Sequence, residues 1–476
     1  MITPFISPPL AEPERSARTR ALAILVLVCS VALLAIWSVP ETIAFRHVFL
    51  IGGFIASLAL LRSYRQALFN RAAWPFWVFL GFYLWLLVHL FFLANNYADQ
   101  FDELRSLWMR CLLATPLGLA LGLMLTARGT LDTHLPPKAG IALVGNTVIL
   151  LILVGFSGNC LISGVRYALE VWRTHQLLNY DILYTFYKNK TPFVIGAALA
   201  LPLAFVLIIR AINHQMSRWW ILASLLVVAL SLFSVYFSNT KNGVAIFTLT
   251  LLFFLANLLF KLHWSWRRVA LGVLVLAAVL SLSSLGIKKH LEKNTAWPNL
   301  IADIKMGVDI DHQNHWKNRN VFPLPANELG NGTNGSTYER TAWFTAGVHL
   351  LFENPLGFGL IHHSFGSLAL AKWPEFYKPV GNLRGATHSG WMDMALGVGI
   401  PGILLIWIPL FAAWYRSLFQ EGLWFSYVSW TIPIMGFAYL TTEVAGQHFT
   451  ELLFFMTAFF CGLTLRYPKP KPHVQS

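Results

Sequence analysis

The chain has 476 residues, of which 56% are hydrophobic and 12% charged, and its formal net charge is +14. Soluble domains carry about 25% charged residues, so the composition excludes an ordinary soluble protein. No soluble basic segment is present to hold a nucleic acid, so no nucleic-acid partner is expected, and part of the positive charge is expected to face anionic lipid.

Apolar runs of 17 or more residues recur along the sequence, each long enough to cross a ~30 Å hydrocarbon core as a helix. Twelve are counted, near 21–39, 45–61, 73–93, 107–125, 141–163, 193–209, 219–237, 243–260, 269–285, 400–415, 424–440 and 449–465. The first is too long for the apolar core of a cleaved signal peptide, and no small-residue cleavage site follows it. The expected fold class is therefore an all-α polytopic membrane protein of about twelve transmembrane helices. Spans 1–9 fall in residues 1–286, a large, partly helical extramembrane loop in 287–399, and spans 10–12 in 400–476. No internal repeat is visible, which counts against transporter folds built from duplicated halves.

Lys and Arg orient the spans. With both termini inside, the inner segments hold 17 of the 35 Lys and Arg, the short outer loops hold eight, and ten lie in the long loop. The bias supports an even number of spans and puts the long loop outside the cytoplasm. Cys29, Cys111, Cys160 and Cys461 lie in or beside apolar spans and read as small hydrophobes, with neither metal spacing nor a disulfide framework.

In chain order, the first outer segment long enough for its own structure is 164–191, which carries Tyr167, Tyr180, Tyr184 and Tyr187. Lys241 then lies in a short outer turn, Ser238 to Gly243, between spans seven and eight. A lone Lys at a helix end usually snorkels to headgroups, but the polar residues around it also suit a lipid-phosphate contact. Inside the long loop, Asn327 to Ser336 is a turn-rich hinge by composition. From Tyr338 to Phe352, Trp343, Phe344, Val348 and Leu351 recur at helical spacing, and Asn354-Pro355 ends the run. A second helix is expected over Ser389 to Leu396 with Thr387 as N-cap, before Gly397 to Gly402 bends the chain into span ten.

Three loop residues suit anion and proton chemistry. His388, at the start of the second helix, can accept a proton from an attacking hydroxyl near neutral pH; equally, it can be a histidine that bonds a loop carbonyl. Arg340 and Arg384 can grip phosphate through two parallel charge-assisted bonds. Arg340 opens an amphipathic helix, an unfavourable place for a cation if the helix dipole alone decided, though an ion pair with Glu339 would also account for it. A metal centre is the competing chemistry: Asp311, His312 and His315 form a D-H-x-x-H string and His362 and His363 are adjacent, but no H-E-x-x-H or C-x-x-C spacing occurs. Glu443, His448 and Glu451 flank the turn before span twelve, where a functional role and plain solvation fit equally. Asp393 could orient His388 only if the helix bends; at ideal spacing it points elsewhere.

The string Arg340-x-x-Trp343, then Asn354-Pro355-Leu356-Gly357-Phe358-Gly359, then Thr387-His388-Ser389 leading to Leu396-Gly397-Val398-Gly399-Ile400-Pro401-Gly402 resembles the O-antigen ligase and polymerase superfamily. Twelve spans with a large loop between spans nine and ten are similar to the ligase branch. The resemblance implies a GT-C-like membrane glycosyltransferase of lipopolysaccharide biosynthesis, in the bacterial inner membrane with its site facing the periplasm. It implies an undecaprenyl diphosphate-linked glycan as donor, a lipid A-core sugar or another glycan as acceptor, and no metal or other cofactor. The family's essential histidine falls on His388, one essential arginine on Arg340 and the other on Lys241. Lys at 241 keeps the charge and loses the bidentate fork, and Ser389 stands where the family usually has Asn. No pair of carboxylates at the ~5 Å spacing of a retaining enzyme is evident, so inversion by direct displacement is expected. A polymerase or exopolysaccharide enzyme of the same superfamily, a lipid-linked oligosaccharide flippase, and a structural subunit whose loop docks a partner through Trp343, Trp373 and Phe376 are the alternatives.

Overall fold

The computed structural model describes residues 17–126, 139–175, 186–187, 189–238, 240–261, 299–362, 364–375, 385–442 and 447–465. These residues are helical or in turns, with one isolated antiparallel bridge between Ala326 and Gly332. In chain order the main helices are α1 (Ala17–Ile36), α2 (Ile43–Leu61), α3 (Trp74–Phe92), α4 (Tyr97–Glu103), α5 (Met109–Thr126), α6 (Ala139–Thr174), α7 (Thr191–Ile212), α8 (Trp219–Phe237) and α9 (Lys241–Lys261). The loop contributes α10 (Leu300–Val308), α11 (Gly335–Glu353) and α12 (Ser364–Lys372), and the chain continues with α13 (Gly390–Leu418), α14 (Leu423–Thr441) and α15 (Gln447–Thr464).

Among the described residues, eight helices are long and apolar enough to cross a membrane, and shorter apolar helices lie in Lys241–Asn257 and His448–Thr464. Among these residues the expected count of about twelve is thus not confirmed. The expected ninth span, 269–285, lies outside the described residues, while 424–440 forms α14, which is not among the eight. The 164–191 segment is not a separate outer unit at its start, because α6 runs on through Tyr167 to Thr174.

Small residues let the tightest helix pair form. Gly118 and Gly122 of α5 face the backbone of α15 so closely that a Cβ at Gly118 would sit 2.1 Å from Phe455 O. Such small-x-x-x-small faces replace the hydrophobic drive that lipid cannot supply between membrane helices. The sequence of α7 is apolar all round, and it is accordingly an interior helix, with 94% of its most apolar stretch buried. Trp85 of α3 donates Nε1–H to Val398 O of α13 at 2.7 Å.

The loop has its own small core of Ile310, Trp316, Tyr338, Ala342, Ala346, Leu350, Phe365 and Ala369, closed below by Met392 and Leu396 of α13. The buried face of α11 is Tyr338, Ala342, Ala346 and Leu350, while Trp343, Phe344, Val348 and Leu351 are only partly buried against it. The expected apolar stripe is therefore rotated: small alanines admit close packing, and the larger residues flank it. The turn-rich 327–336 segment is anchored by Asp303 of α10, fully buried, which accepts Asn327 Nδ2–H and Asn334 N–H, each at 3.0 Å. Asn334 caps α11 through Thr337 N–H, and Asn354 ends it ahead of Pro355 as expected.

The second loop helix and span ten form the single element α13, kinked at Gly399 (φ 72°, ψ 177°), a conformation open essentially to glycine alone. Pro401 has no N–H for Gly397 O, and the kink turns Ile400 N–H away from Leu396 O. Both freed carbonyls are used. Gly359 N–H donates to Gly397 O at 2.7 Å, Phe358 N–H to Leu396 O at 2.8 Å, and Ile400 N–H to Pro355 O at 2.8 Å. The Pro355–Gly359 string and the Leu396–Gly402 string are thus two halves of one backbone junction, fixing the loop on the membrane helix.

Candidate active site

His388 lies two residues before α13 and takes φ +57°, a left-handed conformation costing roughly 1 kcal/mol in a residue with a Cβ. Its neighbours hold it there. Thr387, 1% exposed, gives both its N–H and its Oγ1–H to Asp393 Oδ1 at 2.7 Å, and its hydroxyl accepts Ser389 N–H at 3.2 Å. The N-cap is Ser389, not the expected Thr387, and its side chain accepts from Met392 N. Asp393 lies one turn into the helix and fixes Thr387, since that hydroxyl and amide lie directly above the turn.

The half-buried His388 ring lies on the indole of Trp343, with centroids 5.1 Å apart and planes 26° from parallel. Trp343 is fixed in turn by donating Nε1–H to Trp316 O at 3.2 Å. Close approach of α11 to this corner depends on Gly347, where a Cβ would come within 2.7 Å of Met392 and 3.1 Å of Thr387.

Arg340 lies one turn before Trp343 and is exposed. Residues three apart on a helix share a face with about 5–6 Å between their Cβ atoms, so the guanidinium and the imidazole occupy one side of α11. Lys241, half-buried at the first residue of α9, feels Arg340 and Lys190 as like charges and Asp303 as an opposite one. Two hydrogen bonds, one from a side chain and one between backbones, bring its turn to the histidine. Asn242 Nδ2–H donates to Thr441 O, and Gly390 N–H donates to Thr442 O at 3.0 Å, so α9 and α13 begin on the same end of α14. His388, Arg340 and Lys241 therefore share one corner at the mouth of the bundle, whereas Arg384 lies outside the described residues. Glu339 faces His315, with Nε2 at 3.6 Å.

Sequence reasoning missed the polar network beneath this corner. Glu103, at the end of α4, is 7% exposed and accepts Ile361 N–H at 3.0 and 3.2 Å. His89 Nε2 lies 3.2 Å from Gly357 O, and its Nδ1 is 2.9 Å from Gln100 Nε2. Together they seat the 355–362 segment on α3 and α4. The available signal was His89, an ionisable residue inside the 73–93 apolar run, a placement that marks function by default. A small cavity of about 20 Å³ lies here, lined among others by His362, Ala386 and Asp393.

The other candidates separate. His312 pairs with Asp309 at 2.7 Å, and that hydrogen bond and charge raise its pKa. His315 instead places Nδ1 2.7 Å from Phe322 O. No group of three or more His, Cys, Asp or Glu gathers among the described residues; His363 and Glu443 lie outside them. Glu451 is not solvated: it is 4% exposed, pairs with Arg110 at 3.0 Å and accepts Trp37 Nε1–H at 3.1 Å. The geometry around His388 offers a proton acceptor on an aromatic shelf beside a pair of cations, a combination suited to an anionic leaving group.

Residues 226–407 match the family described as O-antigen ligase. The match spans α9, the loop and the kink of α13, and it supports the O-antigen ligase and polymerase superfamily that the motifs resemble. With the apolar helices, it indicates a multi-pass bacterial membrane protein of ligase or polymerase type. No curated protein matches the chain.

Proposed function

We propose that the chain is an O-antigen ligase-like glycosyltransferase. It moves a glycan from undecaprenyl diphosphate to an acceptor hydroxyl, a lipid A-core sugar, at the periplasmic face of the bacterial inner membrane. Its main support is the corner where His388, shelved on Trp343, meets Arg340 and Lys241.

His388 takes the proton of the acceptor hydroxyl as that oxygen attacks the anomeric carbon. The bond from that carbon to the diphosphate oxygen breaks and its electron pair leaves with the lipid diphosphate. One negative charge grows there, and Arg340 and Lys241 meet it, with Arg384 as a third candidate. The proton on His388 makes an imidazolium against the Trp343 face, an arrangement that favours the charged ring. A single displacement inverts the anomeric configuration. A retaining route needs a carboxylate nucleophile, and the nearby carboxylates are engaged: Asp393 with Thr387, Asp303 with Asn327 and Asn334, Glu339 with His315.

The polymerase alternative uses the same bonds and differs in the acceptor, which would be a second lipid-linked glycan. Purified protein supplied with lipid-linked glycan and lipid A-core, without added metal, is expected to release undecaprenyl diphosphate and label the core. His388→Ala is expected to stop both, and unchanged turnover in that variant overturns the proposal. Lengthened glycan on the carrier, with no labelled core, replaces ligase by polymerase.

A further inference from the structure

At the opposite end of the bundle, α3 and α13 leave a groove of about 640 Å³ between them. Gly390 begins α13 beside His388, and Arg416 follows 26 residues later, roughly 39 Å along a helix. The groove is therefore remote from the site just described. Its walls are Trp74, Trp407, Ile408, Phe411 and Tyr415, and Arg416 closes one end. The wall residues are outward-facing, with Phe411 62% exposed and Trp407 46%.

In a helix that crosses a membrane, such a face meets lipid chains, and the charge decides which lipid. The Arg416 guanidinium lies 5.9 Å from the centre of the Trp74 ring and donates Nη1–H to Ala72 O at 2.7 Å. A guanidinium has five donors, and among the described residues no carboxylate forms an ion pair with this one. Arg71 precedes Ala72, and Arg62 and Arg65 are exposed on the same connection between α2 and α3. The groove thus joins an apolar trough to a cluster of positive charge near the C-terminal end of α13, and basic pockets between helices take anionic head groups.

We propose that this groove holds an anionic phospholipid of the leaflet opposite the active site. One acyl chain lies along Trp407, Ile408 and Phe411, and the phosphate meets Arg416, with Arg71 as a second cation.

The test uses the full chain in neutral detergent, titrated with phosphatidylglycerol or phosphatidylcholine of identical chains, with the tightest-bound lipid counted by native mass spectrometry. Wild type is expected to prefer phosphatidylglycerol about tenfold, the ratio one charge-assisted contact supports. Arg416→Gln is expected to bring that ratio near one while still retaining lipid. Ile408→Trp fills the trough with Arg416 in place and is expected to lose both lipids; it decides the matter if Arg416→Gln does not fold. Equal retention of the two lipids by wild type, an unchanged preference in Arg416→Gln, or wild-type retention in Ile408→Trp overturns the proposal.

Discussion

The imidazole of His388 rests on the indole of Trp343, 5.1 Å between ring centres, and Trp343 stands one helical turn from Arg340. In the proposed reaction a single helix, α11, thus supplies both the shelf for the proton acceptor and a cation for the leaving group. Their spacing is a property of that helix rather than of a flexible loop.

If the indole face favours the protonated ring, Trp343→Leu keeps apolar bulk but removes that help. Turnover is expected to fall about tenfold, the scale of one cation–π contact, with KM little changed. Trp343→Phe is expected to retain most of the rate. Steady-state kinetics on the two variants checks this, and equal rates in both would remove the shelf from the mechanism.

Lys241 and Arg340 act on one another, so their substitutions are expected not to add. Lys241→Gln and Arg340→Gln should each lower kcat/KM by about a hundredfold, the scale of a lost charge-assisted contact in the transition state. The double variant is expected to lose less than the product, because neighbours in one network couple. Lys241→Arg is expected to retain activity. A double-mutant cycle on transfer rates gives the coupling directly.

Asp393 holds Thr387, the residue before His388, and in the proposed mechanism it is a positioning residue. Asp393→Asn is expected to lower kcat more than it changes KM, and Thr387→Val to reproduce the effect without altering any charge. Wild-type kcat in both variants would show that the left-handed turn at His388 does not need this lock.

Gly399→Ala combines a glycine-only backbone conformation with a Cβ that would come 2.3 Å from Leu356 C. Destabilisation of about 3 kcal/mol or more is expected, read as a lowered midpoint in thermal unfolding of the detergent-solubilised protein. Ala substitution at Gly52, where a Cβ meets nothing within 4 Å, is the matched control.

Much of this was legible in the residues. Spans such as 219–237 coincide with their helices because a long apolar run has one solution in lipid, a helix. Arg340 stood out because a cation opens a helix against its dipole, and it lies one turn from Trp343, on which the His388 ring rests. The rotated face of α11 was not legible, because a stripe of Tyr338, Ala342 and Ala346 carries less hydrophobic signal than the flanking Trp343 and Phe344 while burying more completely. Nor was α10, which hides Asp303 and exposes Ile301, inverting the pattern that periodicity detects. Glu103 and His89 escaped notice because their partners, Ile361 and Gly357, lie more than 250 residues away in sequence.

The junction at Pro355–Gly359 and Leu396–Ile400 has a practical corollary for swapping parts between related chains. A graft cut at the kink, near residue 399, puts Ile400 N–H and its acceptor Pro355 O on different sides of the cut and parts Gly397 O from the proline that leaves it free. An exchangeable module must reach past Pro401, so the loop and the tilt of that helix are inherited together.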